Sequence, residues 1–196
     1  MSGIVLFAAP WWVNLLILAP LVPYLLSRHR NIDIGTKRLV AAALFGIAFG
    51  FVEATVVVYL RAVMGLLPGY RGTAPAPFPD VFMSIESVRE AATMIMLGAV
   101  AYLTARSARG KVVAFLWTFA FWDFVYYVSL YFTIGWPTSL TSSDILFLIP
   151  VPWISQVWFP LLISSLTIAV ICLAQRQKIN PKLPVEESSI SHADGR

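Results

Sequence analysis

The sequence predicts an all-α fold, a polytopic transmembrane helical bundle of about five spans, with the amino terminus outside, the carboxyl terminus cytoplasmic and a proline-broken segment before the last span. Two observations lead there. Of 196 residues, 59% are hydrophobic and only 12% are charged, whereas an ordinary soluble domain has roughly a quarter of its residues charged. The apolar residues are also gathered into long runs joined by short polar links. Residues 1–175 therefore read as a single transmembrane helical domain, and residues 176–196 as a cytoplasmic, disordered tail.

The first span is expected from about Ile4 to Leu26, with Pro10 near its start, Pro20 and Pro23 toward its end, and Trp11 and Trp12 marking its outer boundary. Proline kinks are tolerated in a bilayer where neighbouring groups satisfy the freed carbonyls. Met1 to Pro10 hold no Lys or Arg, and the apolar run outlasts a signal-peptide core, which predicts a retained helix and not a cleaved leader. Spans two, three and four are expected over about Leu39 to Leu60, Val81 to Ala105 and Val112 to Ile134, each close to the roughly 20 residues a bilayer needs. Pro150, Pro152 and Pro160 interrupt the next apolar stretch. The last crossing is accordingly placed at Ser155 to Ala174, with Ile145 to Trp153 as a re-entrant or interfacial segment. Thr73 to Asp80, which contains Pro75, Pro77 and Pro79, reads as an extended outer loop.

Basic residues set the direction. Arg28, Arg30, Lys37 and Arg38 follow span one, Arg106, Arg109 and Lys111 follow span three, and Arg176, Lys178 and Lys182 follow span five, against only Arg61 and Arg71 on the other side. Cytoplasmic loops carry the excess of Lys and Arg, and five crossings satisfy that alternation. The expected location is an integral membrane position, in a prokaryotic cell inner membrane. The net charge of +4 is thereby explained by orientation, and no nucleic-acid partner is expected, because the basic residues form no continuous patch.

Ionisable residues inside spans are rare and costly, and they face a bundle interior or a wet cavity. Glu53, Glu86, Arg89, Glu90 and Asp123 are such residues. At 1.5 Å per residue, Glu53 lies about 22 Å above Arg38, Glu90 about 24 Å above Arg106 and Asp123 about 18 Å above Lys111. Three spans thus deliver a carboxyl to one level, just outside the midplane of a core about 30 Å thick. Glu86, Arg89 and Glu90 share one flank of span three, where Arg89 can bridge a carboxylate. Asp123 shares a face with Tyr126 and Tyr127, whose phenols can donate to it or to a ligand. The candidate residues for substrate binding or proton handling are therefore Glu53, Glu86, Arg89, Glu90, Asp123, Tyr126 and Tyr127.

Structural alternatives stand beside these roles. Glu53 adjoins a Gly46, Gly50, Ala54 stripe that lets a second helix approach, so it also fits an interhelical bond. Glu86 fits an interfacial residue favoured by the helix dipole, Arg89 with Glu90 a structural ion pair, and Arg61 a side chain that snorkels outward. The Trp residues fit an interfacial belt or packing. The loop from Gly135 to Trp153 reads either as a rigid cover over the site or as a turn with a Trp anchor and an Asp144 helix cap.

The residues that are missing exclude several classes. His29 and His192 are the only histidines and both lie outside the spans, which argues against a haem, a zinc-protease centre or a histidine-rich di-iron site. The single cysteine, Cys172, rules out a disulfide framework and a multi-cysteine metal site. No cofactor and no metal site is expected, and neither a phosphate-binding glycine loop nor a Gly-x-Ser-x-Gly motif occurs.

The expected function is that of a small polytopic membrane protein with a buried carboxylate and arginine pocket in the outer half of the bilayer, binding a lipid, an amphipathic small molecule or a cation. Three alternatives stay open: a proton-coupled transporter in which an acid loads and releases a proton, an accessory subunit that uses its polar residues only to contact a membrane-protein partner, and an intramembrane enzyme with Asp123 or Glu90 as general acid or base and Arg89 positioning an anionic group. Whether the chain is an enzyme at all is left open by the residues. Membrane lipids are its expected surroundings.

Overall fold

The computed structural model describes residues 7–28, 34–65, 67 and 80–179. His29 and Arg30 of the first link, Arg71, most of the proline-rich loop beginning at Thr73, and tail residues 180–196 lie outside the described residues.

The chain is mostly helical. A two-residue strand β1 (Ala8–Ala9) leads into a 3-10 helix (Trp11–Leu18) and then α1 (Leu21–Arg28). There follow α2 (Thr36–Val63), α3 (Asp80–Thr104) and α4 (Ala108–Ile134), then the strands β2 (Ser143–Phe147) and β3 (Trp153–Gln156), and finally α5 (Trp158–Ile179). By length and composition, α2, α4 and α5 are able to cross a membrane, as in an integral membrane protein. α3 is 25 residues long, long enough to do the same, but Glu86, Arg89 and Glu90 lower the hydropathy of its first half.

The sequence expectation needs two corrections. The first apolar segment is a broken helix, not a continuous one: the 3-10 helix stops at Leu18 and α1 begins at Leu21, because Pro20 has no N–H to carry the ladder across the junction. The fold is also not purely helical. Ile145 to Trp153, expected as a re-entrant or interfacial segment, builds an antiparallel β2–β3 hairpin, with Asp144 opposite Ser155 and a register shift between Ile145 and Phe147. Pro150 and Pro152 sit in the connection between the strands, the position left to residues that cannot donate to a ladder. β1 adds to the other edge of β3, pairing Ala8 with Ser155. Asn14 holds that strand in place: its Oδ1 accepts from the N–H groups of Phe7 and Ala8, both at 3.0 Å, and its Nδ2 donates to the Ala8 carbonyl at 2.8 Å.

α4 is the hub of the bundle, with α2, α3 and α5 packed around it. Its ends are well defined. Ser107 caps the first turn by accepting from the Gly110 N–H at 3.1 Å, and Gly135, at φ +68°, closes the last turn in the left-handed region that favours glycine. The closest approach is to α2. A Cβ on Gly46 would stand 2.6 Å from the Thr118 carbonyl oxygen, and one on Gly50 2.5 Å from that of Trp122, so these glycines let two backbones meet as small residues do in membrane helices.

The end of the bundle that carries Lys37, Arg38, Arg106, Arg109 and Lys111 is filled by an apolar cluster. Ile34, Leu39, Ala101, Val113, Trp117 and Ile171 meet there, and the Trp117 indole donates to the Leu39 carbonyl at 2.8 Å. A second cluster of Ala8, Val13 and Phe159 anchors the hairpin at the opposite end. Outward faces are strongly apolar: Leu103 and Phe132 are each 80% exposed and Val88 71%. In water such surfaces would be an aggregation hazard, whereas lipid tails solvate them.

Candidate functional site

Between the sealed basic end and the hairpin the helices separate around a cavity of about 850 Å³. On α4 its wall runs from Phe115 to Tyr127, about 18 Å along the axis. α2, α3 and α5 supply the other walls and the hairpin covers the end. All seven residues singled out from the sequence, Glu53, Glu86, Arg89, Glu90, Asp123, Tyr126 and Tyr127, line this one space.

The polar groups form three separate arrangements. In the first, Arg89 on α3 donates through Nη1 to Glu53 Oε2 on α2, and to Glu86 Oε2 through Nε at 2.9 Å and Nη2 at 2.7 Å. Thr93, one turn further along α3, donates to the second Glu53 oxygen at 2.8 Å. Glu53 is only 6% exposed, so a carboxylate there needs this partner set. The i,i+3 spacing of Glu86 and Arg89 matches the sequence expectation, and Glu53 does link two helices, with α3 as its partner. Glu86 is half-buried in a pair with Arg89.

The second arrangement differs from expectation. Glu90 does not join its neighbour Arg89 in a direct ion pair; it turns to the hairpin, where Oε2 accepts from the Leu148 N–H at 2.8 Å. Adjacent helical residues project about 100° apart, so Arg89 and Glu90 serve different neighbours.

In the third, Asp123 accepts from Ser164 Oγ on α5 at 2.7 Å, and not from the tyrosines of its own helix. Tyr127 donates to Asp144 Oδ2 on β2 at 2.9 Å, because its long phenol carries the hydroxyl past the short Asp123 side chain to the hairpin. Asp144 is therefore a strand residue bound by Tyr127 and not a helix cap. Burial pushes its carboxyl above the ordinary aspartate range, with the Tyr127 hydrogen bond and the Arg61 guanidinium drawing it back. Tyr126 lies within electrostatic reach of Asp123, Asp144, Arg61 and Arg89, at the meeting point of the arrangements. Arg61 does not simply snorkel outward: its guanidinium stands 4.0 Å from the centroid of Trp136.

An aromatic wall completes the cavity. Phe119 meets Trp122 at 5.1 Å, Trp122 meets Phe147 at 6.3 Å and Phe147 meets Trp153 at 5.2 Å between ring centroids. Among the described residues no group of three or more His, Cys, Asp or Glu is placed to hold a metal ion.

Several members of the site were not found from the sequence. Thr93 could have been, since it stands four residues from Arg89 and three from Glu90 on one helix flank. Ser164 and the Leu148 N–H carry no local signal, because each matters only through a partner distant in sequence. No protein-family model, curated protein or solved structure matches this chain.

Proposed function

We propose that this chain is an integral membrane protein that crosses the bilayer five times, amino terminus outside and carboxyl terminus cytoplasmic, and holds a lipid or an amphipathic small molecule in a pocket in the outer half of the membrane. The observation that carries the reading is the cavity of about 850 Å³, walled by apolar and aromatic side chains with a few convergent polar groups. Small-molecule sites have this size and this composition. Its length of about 18 Å is near the depth of one leaflet of a hydrocarbon core about 30 Å thick. The grouping of Lys37, Arg38, Arg106, Arg109 and Lys111 at the packed end supports a cytoplasmic position for that end, as in a prokaryotic inner membrane.

Leu116 lines the pocket about 10 Å along α4 from Asp123, so Leu116→Trp fills apolar space without replacing a polar group. Native mass spectrometry of protein released from nanodiscs of defined lipid should find a retained amphipathic molecule on the wild type and none on this variant. Equal retention by both would overturn the pocket, and a fully empty wild type would overturn ligand holding altogether.

A further inference from the structure

We infer that the ligand of this pocket presents an organic ammonium group to it, an inference that rests on the amphiphile-binding reading above. Among the described residues, Glu53, Glu86, Glu90, Asp123 and Asp144 line the cavity against only Arg61 and Arg89. Arg89 is committed to Glu53 and Glu86, and Arg61 is stacked on Trp136. An anionic headgroup would have to break an existing pair to reach Arg89, and Arg61, whose face is taken by Trp136, is left as one guanidinium among three acids that make no direct ion pair.

The other three acids make no direct ion pair and are hydrogen-bonded by neutral donors, Glu90 by the Leu148 N–H, Asp123 by the Ser164 hydroxyl and Asp144 by the Tyr127 hydroxyl, although Arg89 lies within electrostatic reach of Glu90 and Arg61 of Asp144. Each carboxyl acts as an acceptor and keeps acceptor capacity unused. Asp123 and Asp144 lie within electrostatic reach of each other, which favours a shared positive partner. A bare metal ion is a poor match, since among the described residues no three His, Cys, Asp or Glu converge and hard cations need several oxygens at close range. A diffuse organic cation is a good one. Such a cation is held by a negative field and by aromatic rings, and Phe119, Trp122, Phe147 and Trp153 line the same cavity as the acids.

Two sources share this chemistry: a free cationic amphiphile, and a lipid whose headgroup ends in an ammonium. The test compares four amphiphiles of equal chain length binding to the full-length protein in nanodiscs: an alkyltrimethylammonium, a lysophosphocholine, an alkyl maltoside and an alkyl sulfate. Leu116→Trp corrects for partitioning into lipid. The expected result is at least tenfold tighter binding of an ammonium compound than of maltoside or sulfate. Preference for the simple cation assigns a free cationic amphiphile, and equal binding of the lysophosphocholine assigns a lipid headgroup. Maltoside or sulfate binding as tightly as the ammonium compounds would overturn the inference and leave the pocket standing. Binding of none of the four would overturn the pocket as well. The wild-type comparison needs no variant in the polar groups. Glu90→Gln with Asp123→Asn is then expected to reduce the ammonium preference to less than threefold while maltoside binding persists, and an unchanged preference in that variant also overturns the inference.

Discussion

Arg89 is the residue on which the candidate site depends most directly, because it alone answers both Glu53 and Glu86. Removing one partner of a buried pair leaves the other as an uncompensated charge, a loss of about 3 kcal/mol or more. Arg89→Met should therefore lower the melting temperature of the detergent-solubilised protein markedly. The double variant Glu53→Gln with Arg89→Met should recover the part of that loss that belongs to Glu53, since Thr93 still satisfies the amide that replaces its carboxylate, while Glu86 stays without its partner. A double variant no more stable than the single one would show that the Arg89–Glu53 pair is not what Arg89 contributes. Asp144 illustrates a different residue-level effect: its properties come from burial of a hairpin side chain at the cavity, so the same side chain in an open loop would be an ordinary aspartate.

Among the elements, the α2–α4 contact has the sharpest steric limits. The carbonyls of Thr118 and Trp122 are backbone atoms on a packed helix, so a methyl group on Gly46 or Gly50 has to push the helices apart. Gly46→Ala and Gly50→Ala should each cost about 1–3 kcal/mol. Gly98 on α3 has nothing within 4 Å of its added Cβ, and Gly98→Ala should be neutral or stabilising by up to about 1 kcal/mol. Unfolding in mixed micelles measures all three variants; equal responses would mean that close backbone approach does not explain the glycines at positions 46 and 50. The hairpin is a second element with a defined attachment. Glu90 holds it from α3 and Tyr127 from α4, in addition to the β1 pairing and the apolar cluster around Phe159.

Over the whole molecule, packing is uneven in a way that fits a membrane site. Apolar residues fill the basic end and the polar residues gather around space at the other. Orientation in the bilayer is the matching prediction. On a Cys172→Ala background, Ala108→Cys near the basic link should react with a membrane-impermeant thiol reagent only from the cytoplasmic side, and exposed Leu140→Cys only from outside. Labelling of both positions from the same side would contradict the proposed crossing pattern of α4.

The helical, membrane-suited class is legible from the residues alone, because hydropathy and length are properties of a segment. The sequence also marked Glu53, Glu86, Arg89, Glu90, Asp123, Tyr126 and Tyr127 as neighbours of one space, since a fixed rise per residue places them at similar heights on their helices. Even the Glu86–Arg89 pair was readable from its spacing. Partner choice was not. Glu90 with Leu148, Asp123 with Ser164 and Tyr127 with Asp144 each join residues far apart in the chain, and the folding of Ile145 to Trp153 into strands depends on β1 and on the helices beneath it. These follow from packing in three dimensions, because a hydrogen bond between elements depends on how each helix is rotated about its axis, and that rotation is set by contacts such as the meeting of Gly46 and Gly50 with α4.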